Sequence, residues 1–148
     1  MKLALLVAVV SLLACAGRAD AACTISTTPV SFGSYNVFNT SATSANGTIT
    51  YRCGNADHNI VITISTGSSG SFANRTLKKG TENLTYNLFR DAAFATIWGD
   101  GSGTTGQYQI GNPPNGTDVN LTVYGRVPAQ QDVSAGSYSD TVIATINF

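Results

Sequence analysis

The sequence has 148 residues, with eight Lys plus Arg, eight Asp plus Glu, one His, and charged residues at 11% of the total. A soluble globular domain usually carries about 25%, and so few basic groups argue against nucleic acid as a partner. With 43% hydrophobic residues and a formal net charge of zero, disorder is excluded as well, and few side chains are left for acid–base chemistry.

Residues 1–21 read as a secretory signal peptide: Lys2, an apolar run from Leu3 to Ala14, then Ala19-Asp20-Ala21 as an A-x-A cleavage site, with the cut between Ala21 and Ala22. The apolar run is too short to span a membrane. A second cut is possible after Ala16, and Leu12-Leu13-Ala14-Cys15 loosely resembles a lipoprotein box in which Leu13 fits poorly. Cleavage after Ala21 leaves 127 residues with six basic groups, seven acidic groups and two cysteines. Cys23 and Cys53 are then the candidates for a disulfide in an oxidising compartment. A metal site would need more histidine than His58 supplies, and no cofactor or metal is expected.

Along the remaining chain, apolar residues alternate with polar ones between Gly, Asn, Pro and Ser clusters, the pattern of half-buried antiparallel strands. The windows are Thr48 to Cys53, Asn59 to Ser65, Leu84 to Leu88, Val119 to Val123 and the terminal segment. In that last segment Val142, Ala144, Ile146 and Phe148 share one face, and Ile143 is the exception on the other. No window of ten or more residues keeps a 3.6-residue period, which predicts an all-β sandwich of about six or seven strands. Cys23 shares a face with Ile25, and Cys53 with Ile49 and Tyr51, so both sulfurs are expected to point inward.

The chemical motifs are weak. Gly101-Ser102-Gly103-Thr104-Thr105-Gly106 matches G-x-G-x-x-G, but a strand and not a helix is predicted after it, at Gln107 to Ile110. Asp91, Asp100 and Asp118 lack calcium-loop spacing. His58 lies in a predicted turn with no nucleophile signature near it. Six N-x-[ST] sequons, at Asn39, Asn46, Asn74, Asn83, Asn115 and Asn120, are what an Asn- and Thr-rich chain produces by chance. Trp98 reads as core or sheet surface, with a carbohydrate platform as the other reading. The chain is therefore not expected to be an enzyme, and a hydrolase using Glu82, Asp91 or His58 has little support.

Several ordered blocks resemble the spore coat protein U family: Cys23-Thr24-Ile25, PVSFGSY (29–35), GTITYRC (47–53), STGSSGSFANRTL (65–77), LTYNLFRDAAFATIWGDGSG (84–103), LTVYGRVPA (121–129) and GSYSDTVIATINF (136–148). That family includes subunits of archaic chaperone-usher pili. The resemblance implies an immunoglobulin-like β-sandwich over residues 22–148 that lacks its last strand and is completed by a donor strand. It implies export through the periplasm to a pilus or cell surface, and a structural or adhesive role. The implied partners are a periplasmic chaperone, an outer-membrane usher and a neighbouring pilus or coat subunit. The strand carrying Val142, Ala144, Ile146 and Phe148 would border the acceptor groove and meet the chaperone. Polymerising subunits of this kind carry an apolar donor segment before the first cysteine, whereas here only Ala22 separates the expected cut from Cys23. The expectation is a tip or capping subunit that accepts a strand. The alternative is a self-contained, lectin-like binding module built on the loops from Trp98 to Gly106.

Overall fold

The computed structural model describes residues 23–54 and 57–148; the expected signal segment and its Ala21–Ala22 cleavage site lie outside the described residues. The strands are β1 (Thr24–Thr28), β2 (Thr43–Arg52), β3 (Ile60–Ile64), β4 (Arg75–Lys79), β5 (Glu82–Phe89), β6 (Tyr108–Ile110), β7 (Val119–Val127) and β8 (Ala144–Asn147). A 3₁₀ turn, Gly67–Ser69, occupies the glycine-rich loop after β3. Each alternating window forms a strand; β1, β4 and β6 lie outside those windows, β6 where a strand is predicted after the glycine-rich loop. The terminal strand is shorter than its alternation suggests, because its ladder to β3 runs only from Ala144 to Asn147.

Five strands form one sheet in the order β1-β2-β7-β5-β4 and three form the other in the order β6-β3-β8. Their inner faces carry the period-two residues: Ile49 and Tyr51 of β2, Leu84, Tyr86 and Leu88 of β5, Val123 and Val127 of β7, and Ile60, Ile62 and Ile64 of β3 are all buried. This is the two-layer arrangement that one-sided alternation requires. Polar ties cross the core. The Tyr51 and Tyr108 hydroxyls lie 3.1 Å apart between the sheets, and the Trp98 indole N–H donates to the Ile62 carbonyl at 3.1 Å.

Cys23 and Cys53 are disulfide-bonded, 30 residues apart in sequence. They flank the β1–β2 ladder, whose first pair is Thr24 with Arg52, so the bond staples the edge strand β1 to its neighbour. In the chain-entropy description a loop of this length contributes about 3 to 4 kcal/mol. After β1 the chain crosses the inner face of the larger sheet, and two glycines make room for it. A Cβ on Gly47 would lie 2.7 Å from the Thr28 carbonyl oxygen, and one on Gly125 would lie 2.8 Å from the Phe32 ring. Phe32 then meets Tyr86 edge-on at 5.9 Å between centroids.

Arg75 is fully buried. Its side chain donates to the Ser65 carbonyl at 2.8 and 3.0 Å, to the Trp98 carbonyl at 2.7 Å and to Asn87 Oδ1 at 2.7 Å. The guanidinium therefore ties β4 and β5 of one sheet to the end of β3 and to the loop carrying Trp98. Replacing Arg75 with Met is expected to leave these carbonyls unpaired in the core and to lower stability by about 2 to 4 kcal/mol, read as a fall in the urea midpoint. Reduction of the disulfide should lower the same midpoint by about 3 kcal/mol equivalent, and a Cys23→Ser, Cys53→Ser variant should show the lowered value without reductant.

Candidate functional site

Strand β1 ends the larger sheet and β8 ends the smaller one. Each has a ladder partner on one side only among the described residues, β2 for β1 and β3 for β8. Between these edges runs a groove of about 470 Å³ whose floor is Ile49, Ile64, Leu77, Tyr86, Leu88 and Val123, with Ile25 and Val30 on one wall and Val142 and Ala144 on the other. It continues into a second stretch of about 870 Å³ between residues 29–37 and 133–140. The two stretches share Pro29, Val30, Phe32, Leu77 and Asp140, so together they form one elongated cleft.

The wall on the β8 side changes sheets as it runs. Ser139 pairs with Lys78 of β4 through two backbone hydrogen bonds of 2.8 and 3.1 Å, and four residues later Ser65 N–H donates to the Ile143 carbonyl at 2.9 Å. Asp140 pins the crossing. Its Oδ1 accepts the Ser68 and Thr141 amides, each at 2.9 Å, and its Oδ2 accepts the Tyr86 hydroxyl at 2.7 Å. Gly67 makes this seat possible, since a Cβ there would lie 2.9 Å from Asp140 Cγ and its φ is +68°. Burial works against the Asp140 charge, but the Ser68 and Tyr86 hydrogen bonds outweigh it and hold the carboxyl below its ordinary value. Burial, assisted by the bond to Asp140, pushes the Tyr86 phenol up.

A second polar cluster fastens the far end of the cleft. Glu82 Oε2 accepts from Ser134 Oγ at 2.6 Å, from the Tyr138 hydroxyl and from Lys79 Nζ at 3.4 Å. Lys79 also donates to the Ala135 carbonyl at 2.7 Å. The segment from Ser134 to Tyr138 is thus held on the β4–β5 hairpin.

Of the residues expected to border the groove, Val142 and Ala144 line it, and Ile146 is half-buried against the core. Phe148 keeps the alternation but lies past the end of the strand: it follows Asn147, the last residue in the β3 ladder, and is 56% exposed. Ile143 faces outward and is 64% exposed. The Gly101 to Gly106 loop leads into strand β6 and not into a helix. Trp98 is buried and offers no platform. Asp91 accepts the Ala95 and Thr96 amides, Asp100 accepts the Ser102 amide and hydroxyl, and Asp118 pairs with Arg52, so the three carboxylates cap separate features. His58 is exposed beside Asn112. Asp57 lies close to Cys23 and Cys53, but the disulfide consumes both thiolates that a metal would require.

The sequence profile of the Spore Coat Protein U domain matches residues 9–145. The chain belongs to the Spore Coat Protein U domain family. Protein U of Myxococcus xanthus is 40% identical over 96 residues, and the match spans 60% of this chain and 51% of that relative. This Spore Coat Protein U domain chain therefore aligns with about half the length of that curated relative. The fold is similar to a chain in the crystal structure of the CsuC–CsuE chaperone–tip adhesion subunit pre-assembly complex, from archaic chaperone-usher Csu pili of Acinetobacter baumannii. The TM-score is 0.60 at 23% identity, covering 85% of this chain and 39% of that one. The likeness is one of fold, an immunoglobulin-like β-sandwich. Among the described residues no helix is long and apolar enough to cross a membrane.

The hydrogen bonds from Ser134 and Tyr138 lower the Glu82 pKa from 4.5 to about 2. A carboxyl with a depressed folded-state pKa stabilises fully above its unfolded value and loses that contribution as pH falls through the folded one. Thermal melts of the wild type and of Glu82→Gln should therefore differ most above about pH 5 and converge as the pH approaches 2. A difference that stays constant down to pH 2 would show that the Glu82 charge does not hold the clasp.

Proposed function

We propose that this protein is a structural, adhesive subunit of a chaperone-usher type pilus or surface coat, and that its groove accepts an extended strand from another chain. The supporting observation is the juxtaposition of two strand edges, β1 and β8, across a groove whose floor is apolar. A strand laid there could pair its backbone with both edges while alternate side chains fill the floor. Each aliphatic side chain buried in this way contributes about 1.5 to 3 kcal/mol. An edge left bare is a template for aggregation. A periplasmic chaperone would cover the groove until an outer-membrane usher delivers a neighbouring subunit.

Cleavage at the expected Ala21–Ala22 site would leave an accepting subunit, at a tip or cap. Gly17 to Ala22 includes Arg18 and Asp20 and has no alternating apolar side chains, so it lacks what a groove of this kind would bind. The signal-like segment and the family support export and placement at the cell surface. The structural role also accounts for the side chains that could have served catalysis, since Asp91, Asp100, Glu82 and Asp140 hold loops in place.

Produced in the periplasm without a partner, the protein is expected to aggregate, and co-production with the chaperone of its own system should give a soluble complex. A synthetic peptide with alternating apolar residues should replace the chaperone and raise the thermal midpoint. Ile25→Asp, on the groove wall, should abolish that rescue. A soluble monomer that unfolds cooperatively with no partner or peptide would overturn the proposal.

A further inference from the structure

The groove is not uniformly apolar. Among the described residues that line its two stretches, Asp140 is the one with an ionisable carboxyl, and none is a lysine or arginine. It lines both stretches and so stands at the waist of the cleft. The buried guanidinium of Arg75 gives its hydrogen bonds to the Ser65, Ile64 and Trp98 carbonyls and to Asn87. No lysine or arginine among the described residues makes an ion pair with Asp140, although the Arg75 guanidinium lies near enough for the two charges to attract each other through the protein. The carboxylate accepts two amides and the Tyr86 hydroxyl, three bonds where its two oxygens offer about four acceptor positions.

A strand lying in the cleft removes water from Asp140. An apolar side chain at that point would leave an ionised group with an unsatisfied lone pair under a dry cover, which is costly. A hydrogen-bond donor there would satisfy it and form a charge-assisted bond. The same mark bears on register. A slip by one residue turns every side chain of the occupant to the wrong face. A slip by two preserves the apolar face, so alternation alone does not forbid it. One polar position in an apolar seam removes that degeneracy, as a buried polar residue does in a coiled coil.

We propose that Asp140 sets the register and selects the sequence of the strand that fills the groove. The occupant is an extended segment of another protein chain in which one inward-facing position carries a basic or other hydrogen-bond-donating side chain, flanked two residues away on both sides by apolar ones. This inference rests on the strand-accepting reading of the groove.

The test uses labelled synthetic peptides of alternating apolar residues, with a single Lys moved two positions at a time along the inward face, offered to the full mature protein released from its chaperone. Matched peptides carry Glu or Leu in place of that Lys. Affinity should peak for Lys at one position, at least about tenfold above Lys elsewhere and above Glu at the same place. Asp140→Asn should flatten the dependence on position; if that variant fails to fold, the scan on the wild-type protein decides alone. Equal affinity at all positions, or a Leu peptide that binds as tightly as the best Lys peptide, would overturn the register role and leave the groove intact as an acceptor. Failure of every alternating peptide to bind would overturn both.

Discussion

A β-strand edge carries a row of backbone donors and acceptors that need partners, and in this sandwich two such edges face each other across the hydrophobic floor of one cleft. Most sandwiches cover that floor with their own chain. Here β1 and β8 stop short of each other, so Ile49, Leu88 and Val123, otherwise ordinary core residues, also form the surface of a groove. The alternation that builds the core thus also supplies the floor of the candidate acceptor groove. This accounts for a chain with 11% charged residues and a single histidine.

An open side weakens the contact between the two sheets, and the polar residues of the interior lie where that weakness must be offset. The disulfide holds β1 to β2 at one end. Arg75 joins the far side of the larger sheet to the end of β3. Asp140 fixes the point at which the last segment leaves β4 for β3, and Glu82 fastens the segment before it. A buried cation bonded to carbonyls in place of a carboxylate is expensive to desolvate. Its five donors, however, reach several strands at once, which a packed aliphatic side chain could not do.

The strands were legible in the sequence because period-two alternation over five or more residues reflects one buried face and little else. The disulfide was legible for a similar reason: two cysteines on inward faces of consecutive strands had few other options. The weak points were residues whose placement depends on neighbours distant in sequence. Arg75 shares its alternation with Leu77, and that pattern alone points inward, but its charge argues the other way unless the carbonyls of Ser65 and Trp98 are there to receive it. Asp140 sits just ahead of the apolar run of the last strand, and only the approach of Tyr86 and Ser68 gives it a role. Phe148 keeps the alternation yet lies beyond the ladder, because side-chain period does not say where backbone pairing ends.

The cleft also shows why specificity in such a fold has to come from exceptions. Backbone pairing is blind to sequence, and aliphatic floors accept one methyl-bearing side chain nearly as well as another. If every lining residue were apolar, any extended apolar segment would fit in several registers of similar energy, and wrong partners would compete with the right one. Discrimination requires an element that penalises the wrong occupant as well as one that rewards the right one. A carboxylate held by three hydrogen bonds at the waist of the cleft has both properties: it cannot move aside, and it is costly to cover with anything that brings no proton donor. Filled as proposed, the groove would be general in its affinity and selective at one point, a division of labour that follows from the chemistry of its lining.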